Sequence, residues 1–220
     1  MEPTFNSLQI LGIDTCGPAG SVALGRVHAG ALEVVEQVAL EGRTYSATLV
    51  AAIGEVLASN GLQLGQIGCI VVVSGPGSFT GVRVGMSAAK GLAEGAGIPV
   101  IAVSRLEVLA HASGCTSAAL DAHRQEVFLR TEGRELLAGA AELRAMRAPA
   151  EVAVCDEAAA GLLAQAWPAA EVLRVDPPDA AGALQLALPR VLAGDYDDVA
   201  VLDGHYLRRS DAEIFGPQPA

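Results

Sequence analysis

C-I-V-V-V-S-G-P-G-S-F-T-G-V-R-V-G-M-S-A-A-K-G-L-A-E-G-A, residues 69–96, decides the architecture of this 220-residue chain. Cys69 to Val73 is an unbroken apolar run of strand length, the pattern of a β-strand buried on both faces. Gly75 to Gly81 breaks it with glycine, proline and serine, and from Val82 to about Ala96 the apolar residues recur at helical spacing. At about 100° per residue, Val84, Ala88, Gly91 and Leu92 form one face, suited to a sheet. Val82, Met86, Ala89 and Ala93 form a second, and the polar residues fall into a narrow stripe. A helix apolar over more than half its circumference is covered on two sides. It is either an interior helix or one that meets another protein.

Upstream, Leu8–Thr15, Ser21–Arg26 and Ala31–Leu40 read as three strands, the first two joined by the turn Gly17-Pro18-Ala19-Gly20. Ser46 to about Ala58 carries Leu49, Ile53, Val56 and Leu57 at helical spacing. Downstream, Ile98–Val103 is a strand, and Ser104 with Glu107 forms a capping-box pattern opening a further helix. Three strands, helix, strand, helix, strand is the order of an RNase H-like unit. The remainder repeats it less clearly: strands over 116–121 and 126–131, a strand near 151–155, a helix capped by Asp156, a strand at 172–175, and a helix from about Ala180 to Leu192. Each half opens on a hairpin bearing an acidic residue, Asp14 and then Asp121. The expected fold is therefore α/β, an actin-like (ASKHA), RNase H-like fold of two related halves, residues 1–104 and 105–220. The closing Gly-Pro-Gln-Pro-Ala, residues 216–220, reads as a frayed end.

The charge balance narrows function. Asp and Glu outnumber Lys and Arg 25 to 14, a net charge of −11 that opposes direct binding to phosphate backbones. No stretch approaches the roughly 20 apolar residues of a membrane span, and no basic-then-apolar leader opens the chain. A cytoplasmic protein without membrane contact is expected. The four cysteines lack CxxC spacing and read as reduced residues. The four histidines form no HxxxH or HExxH pair, so no metal site is expected.

The glycine-rich turn fails two phosphate templates. Gly81 precedes Val82-Arg83, not the Lys-Ser/Thr of a P-loop, and the spacing is one residue too long for G-x-G-x-x-G. Asp14, Thr15, Gly75 and Gly77 remain candidates for a vestigial phosphate loop, beside the alternative of a plain tight turn. Ser87 falls within a helix and is no nucleophile elbow. No catalytic residue emerges.

I-L-G-I-D-T (10–15), S-G-P-G-S-F-T-G-V-R-V-G (74–85), L-D-A-H-R-Q-E-V-F (120–128) and Tyr206-Leu207-Arg208 followed by Ala212-Glu213 together resemble the TsaB (YeaZ) family. The resemblance is weakest between about 132 and 200. It implies a non-catalytic partner subunit in the synthesis of threonylcarbamoyladenosine beside the tRNA anticodon. Such a subunit supports a TsaD-like (Gcp-like) catalytic protein that carries the metal-binding histidine pair this chain lacks. A TsaE-like ATPase is the further implied partner, with tRNA met only indirectly, a homodimer when the chain is alone, and ATP or ADP, if bound, at the complex boundary. The family associates through its first two helices. That nominates Tyr45, Thr48, Leu49 and Ala52 on the first, and Val82, Met86 and Ala89 on the second. Tyr45, Cys16 and His123 stand where the family usually has His, Ser and Arg. The competing reading is an actin-like-fold ATPase or small-molecule kinase, for which no Gly-Gly adenosine motif is found in the second half.

Overall fold

The computed structural model describes residues 7–208; Ala212, Glu213 and the closing 216–220 lie outside them. The first half runs β1 (Leu8–Asp14), β2 (Ala19–His28), β3 (Ala31–Glu41), α1 (Tyr45–Ser59), β4 (Ile67–Val73), α2 (Phe79–Ala96) and β5 (Val100–Val103). After α3 (Arg105–Ser113) the second half runs β6 (Ala118–Asp121), β7 (Glu126–Thr131), β8 (Arg134–Gly139), α4 (Ala140–Ala145), β9 (Glu151–Val154), α5 (Glu157–Ala166) and β10 (Glu171–Arg174). Helix α6 (Ala180–Ala193) follows.

The two sheets share one plan. The first is ordered β3-β2-β1-β4-β5 and the second, read from its opposite edge, β8-β7-β6-β9-β10. In each, the first three strands pair antiparallel, and the fourth and fifth add on parallel through helical crossovers. This is the duplicated actin-like, RNase H-like arrangement. Two elements were not legible in the sequence. Strand β8 is a largely half-buried edge strand, R-E-L-L-A-G, with no clean alternation to mark it. Helix α4 has only six residues, too few for a periodic signal.

One placement corrects the sequence reading. Helix α6, expected to complete the second half, packs on the first sheet. Ala180, Ala183, Leu184, Ala187 and Val191 join the core formed by β1, β2 and β4. The cause is an opening in that sheet. A Cβ at Gly12 would stand 2.8 Å from Ala180 O and 3.0 Å from Leu184 Cγ. Glycine there admits the helix, and Ala180 N–H donates to Ser21 Oγ at 2.8 Å. The capping signals resolve individually. Asp156 accepts from Ala159 N at 2.7 Å, and Ser104 Oγ accepts from Leu106 N at 3.1 Å. Glu107 leaves the expected reciprocal box and pairs with Arg130 at 3.1 Å.

Candidate functional site

The β1–β2 turn and the start of α2 are locked together. Ser78 caps α2 by accepting from the Gly81 amide, and its own N–H donates to Cys16 O at 2.8 Å. Thr15 Oγ1 donates to Gly81 O at 2.6 Å, fully buried. A Cβ on Gly77 would collide with Cys16 O, one on Gly81 with Thr15 O, and one on Gly85 with Thr15 Oγ1. These three glycines, each four residues apart, form a groove into which the turn backbone fits. That explains the long glycine motif without a ligand. Tyr45, the first residue of α1, closes the other side: its hydroxyl donates to Gly17 O at 2.8 Å, and burial pushes it up to about 12.

Around this junction a cleft of about 1360 Å³ opens between the halves. The β1–β2 turn and the first turn of α2 face the β6–β7 turn and the start of α5 across it. Of the loop candidates, Gly77 lines the cleft, while Asp14 and Thr15 lie beneath its wall at 1% and 0% exposure. Gly75 is buried at φ +112, its carbonyl accepting from Arg105 N at 2.6 Å. Asp14 Oδ1 accepts from Cys16 N at 2.8 Å, while its Oδ2 has no partner among the described residues. Burial raises the Asp14 carboxyl above its ordinary value, and the Arg105 charge pulls the other way. Arg105, first residue of α3, also lines the cleft. No spacing signal in the sequence marked it.

Residues 197–208 form a strap from the edge of the first sheet to the second half. Asp197 N donates to Val100 O at 2.9 Å, and Asp197 Oδ2 accepts from Ala102 N at 2.7 Å. The strap then crosses α2, where Lys90 Nζ donates to Leu202 O at 2.9 Å and His205 N donates to Ser74 O at 2.7 Å. It ends with Arg208, which donates to Ala122 O at 2.7 Å and pairs with Glu126. His205 Nε2 stands 2.9 Å from Glu135 Oε2, at ion-pair distance without hydrogen-bond alignment. Ser104 Oγ bonds Glu135 at 2.7 Å.

The Glu135 contact raises His205 above its ordinary 6.5. Burial pushes Glu135 upward, but His205, Ser104 and Arg130 more than offset it and hold the carboxyl below 4.5. A raised histidine contributes stability that is complete below its unfolded value and is lost as pH rises through the folded one. Wild-type stability is therefore expected to fall as pH rises above about 6.5, by under about 1 kcal/mol because the pair is partly solvated. His205→Gln should flatten that slope in thermal melts; an unchanged slope would assign it to another group.

The nominated partner-facing residues lie mostly inside the chain's own core. Tyr45, Leu49, Ala52, Val82, Met86 and Ala89 are all buried, and Thr48 is half-buried, its hydroxyl donating to Thr44 O at 3.1 Å. The two faces of α2 are exchanged relative to expectation. Val82, Met86, Ala89 and Ala93 turn inward with Gly81 and Gly85, whereas Val84, Ala88 and Leu92 are half-buried and Gly91 exposed. The glycine groove sets this orientation, since only the face carrying Gly81 and Gly85 can approach Thr15 closely. The strap adds cover that the sequence did not reveal: a Cβ at Gly204 would meet Val82 Cγ1 at 2.7 Å. The outer surface of the helix pair consists of Ala47, Val50, Ala51 and Gly54 on α1, all exposed, with Val84, Ala88 and Gly91 on α2.

Two RNase H-like halves around a cleft, joined by crossing helices and a returning strap, define a protein of the actin-like fold. The family model described as TsaD, tRNA N6-adenosine threonylcarbamoyltransferase, matches residues 36–174, more than half of the chain. The TsaB protein of Haemophilus influenzae, described as a tRNA threonylcarbamoyladenosine biosynthesis protein, is 39% identical over 60% of this chain and 56% of its own length. Its Escherichia coli namesake is 38% identical over 55% of this chain and 53% of its own. The chain thus spans about half the length of the curated relatives it matches. A Pseudomonas aeruginosa crystal structure, described as similar to peptidase YeaZ, superposes on 91% of this chain and 100% of its own at TM-score 0.75 and 26% identity. The chain belongs to this TsaD-like family, in its TsaB (YeaZ) branch. Among the described residues no helix is long and apolar enough to cross a membrane.

Proposed function

We propose that this chain is the partner subunit of a TsaD-like transferase, inactive alone, and required for threonylcarbamoyl transfer to the adenosine next to the tRNA anticodon. The observation that carries the reading is the match to proteins described as TsaB at 39% and 38% identity, with the fold common to both halves. The negative net charge supports leaving tRNA to the partner. The wider assembly includes a TsaE-like ATPase, and in the cytoplasm the chain without its partner forms a homodimer through the same surface.

That surface is the outer face of α1 and α2, in place of the buried residues first nominated. Val50 is 63% exposed and is flanked by Ala47, Ala51 and Gly54. Small residues around one larger apolar side chain allow two helix pairs to approach closely. Val50→Glu is expected to leave the melting midpoint within about 0.5 kcal/mol of wild type, as exposed substitutions do. The same change should weaken association by tenfold or more, since it buries an unpaired carboxylate at the contact. Co-purification with the same organism's TsaD-like protein, followed by a threonylcarbamoylation assay with and without this chain, tests both claims. Modification at full rate without the chain would end the partner reading. Unchanged association of Val50→Glu would move the contact to another surface.

A further inference from the structure

Arg83 is exposed on α2, yet its guanidinium is held between two rings. It lies 3.8 Å from the centroid of Phe79 and 6.0 Å from that of Tyr206, and the two rings pack at 5.1 Å. Stacking occupies the flat face of a guanidinium and leaves the N–H groups on its edge free. Among the described residues Arg83 has no hydrogen bond and no ion pair. The chain carries 25 Asp and Glu against 14 Lys and Arg, so this isolation does not reflect a shortage of carboxylates.

Arg83 lines a pocket of about 580 Å³ between α2 and the strap, with Leu202, Asp203 and Tyr206 on the strap side. The charges already there do not occupy the arginine. Lys90 Nζ donates to Leu202 O, and Asp203 Oδ1 accepts from Gly204 N at 2.7 Å. Glu94 stands three turns further along the helix, about 16 Å at 1.5 Å per residue. The strap also exposes Val201, at 78%, and Tyr206, at 37%. Arginine and tyrosine beside exposed apolar side chains are the composition of a protein contact. At about 100° per residue, Gly91 lies between Val84 and Ala88 on one flank and Ser87, Arg83 and Lys90 on the other. Gly91 therefore belongs both to the outer face of α2 assigned to the partner and to this pocket. A protein seated on α1 and α2 reaches the pocket along one continuous surface.

We propose that the pocket between α2 and the strap receives an acidic side chain of the TsaD-like partner, its carboxylate gripped edge-on by Arg83. The inference rests on the partner reading and adds a charged anchor to an otherwise apolar contact. A phosphodiester would also suit the arginine fork, but Glu94, Asp203 and a net charge of −11 oppose a polyanion here.

The chain is titrated with the same organism's TsaD-like protein by calorimetry at about 50 mM and about 500 mM salt. Arg83→Gln should leave the thermal melt of the isolated chain unchanged and weaken association about tenfold at low salt. The loss should be smaller at high salt, where the attraction is screened. An arginine that served only to hold Tyr206 and the strap would instead shift the melt, which would count against the contact. In the complex, Arg83→Lys treated with a carbodiimide should form an amide between the introduced amine and an Asp or Glu of the partner, read as a cross-linked peptide by mass spectrometry. Association that Val50→Glu abolishes and Arg83→Gln leaves intact would overturn this contact while sparing the partner reading. So would a loss of tRNA retention in Arg83→Gln with partner affinity unchanged, or a cross-link that joins only two copies of this chain. No association by wild type would end both.

Discussion

Met86→Glu is expected to unfold the isolated chain, not merely to release a partner. Met86 is 4% exposed and belongs to the first core, on the face of α2 that packs against β1, β4 and β5. Truncating such a side chain alone costs about 2–5 kcal/mol. Glutamate adds an unpaired carboxylate, which must either neutralise or draw in water. A domain of this size has a total stability of roughly 5–15 kcal/mol. The expected result is a collapse of the denaturation midpoint or an insoluble protein. Ala89→Arg, at 0% exposure, should behave alike through overpacking. Chemical denaturation of each variant against Val50→Glu decides the matter. A folded Met86→Glu chain with lost association would return that face of α2 to the surface and refute the orientation described above.

The same residue shows where the sequence was informative and where it stopped. Periodicity identified α2 and its two apolar faces, of which one is buried in the first core and the other is half-buried to exposed. It assigned them the wrong way round, because helical periodicity carries no information about which face meets which neighbour. Glycine spacing held the missing information: Gly77, Gly81 and Gly85 mark the side on which another backbone comes close. The strap over 197–208 was not legible because its role rests on backbone hydrogen bonds, such as His205 N to Ser74 O, to which side-chain pattern is blind. The order of elements in the first half was readable because β1, β2 and β4 are long or continuously apolar. In the second half, four-residue strands such as β9 and β10 left only their existence readable. Of the candidate site, Asp14 and the glycine loop stood out by residue type. Arg105 did not, since burial of its Nε without a partner among the described residues arises only on folding.

Gly81→Ala should destabilise the chain by about 3 kcal/mol or more, reversing the usual sign of that substitution in a helix. Within an α-helix, alanine is ordinarily favoured over glycine by about 1 kcal/mol, because glycine loses more backbone freedom on folding. Gly81 lies in the first turn of α2, yet its added Cβ would strike Thr15 O. The obstacle is backbone at the end of β1, which cannot move aside as a flexible side chain would. Relief requires the β1–β2 turn to withdraw, breaking the buried 2.6 Å bond from Thr15 Oγ1 to Gly81 O and leaving the Thr15 hydroxyl unsatisfied. Gly91 supplies the internal control. It lies in the same helix, is exposed, and a Cβ there meets nothing within 4 Å. Gly91→Ala should therefore stabilise the isolated chain by about 0.5–1 kcal/mol. Opposite signs for the two substitutions in urea denaturation identify the glycine motif as a backbone-contact groove. Stabilisation by both would mean that residues 77–85 are free of the β1–β2 turn and that the motif exists for something other than this contact.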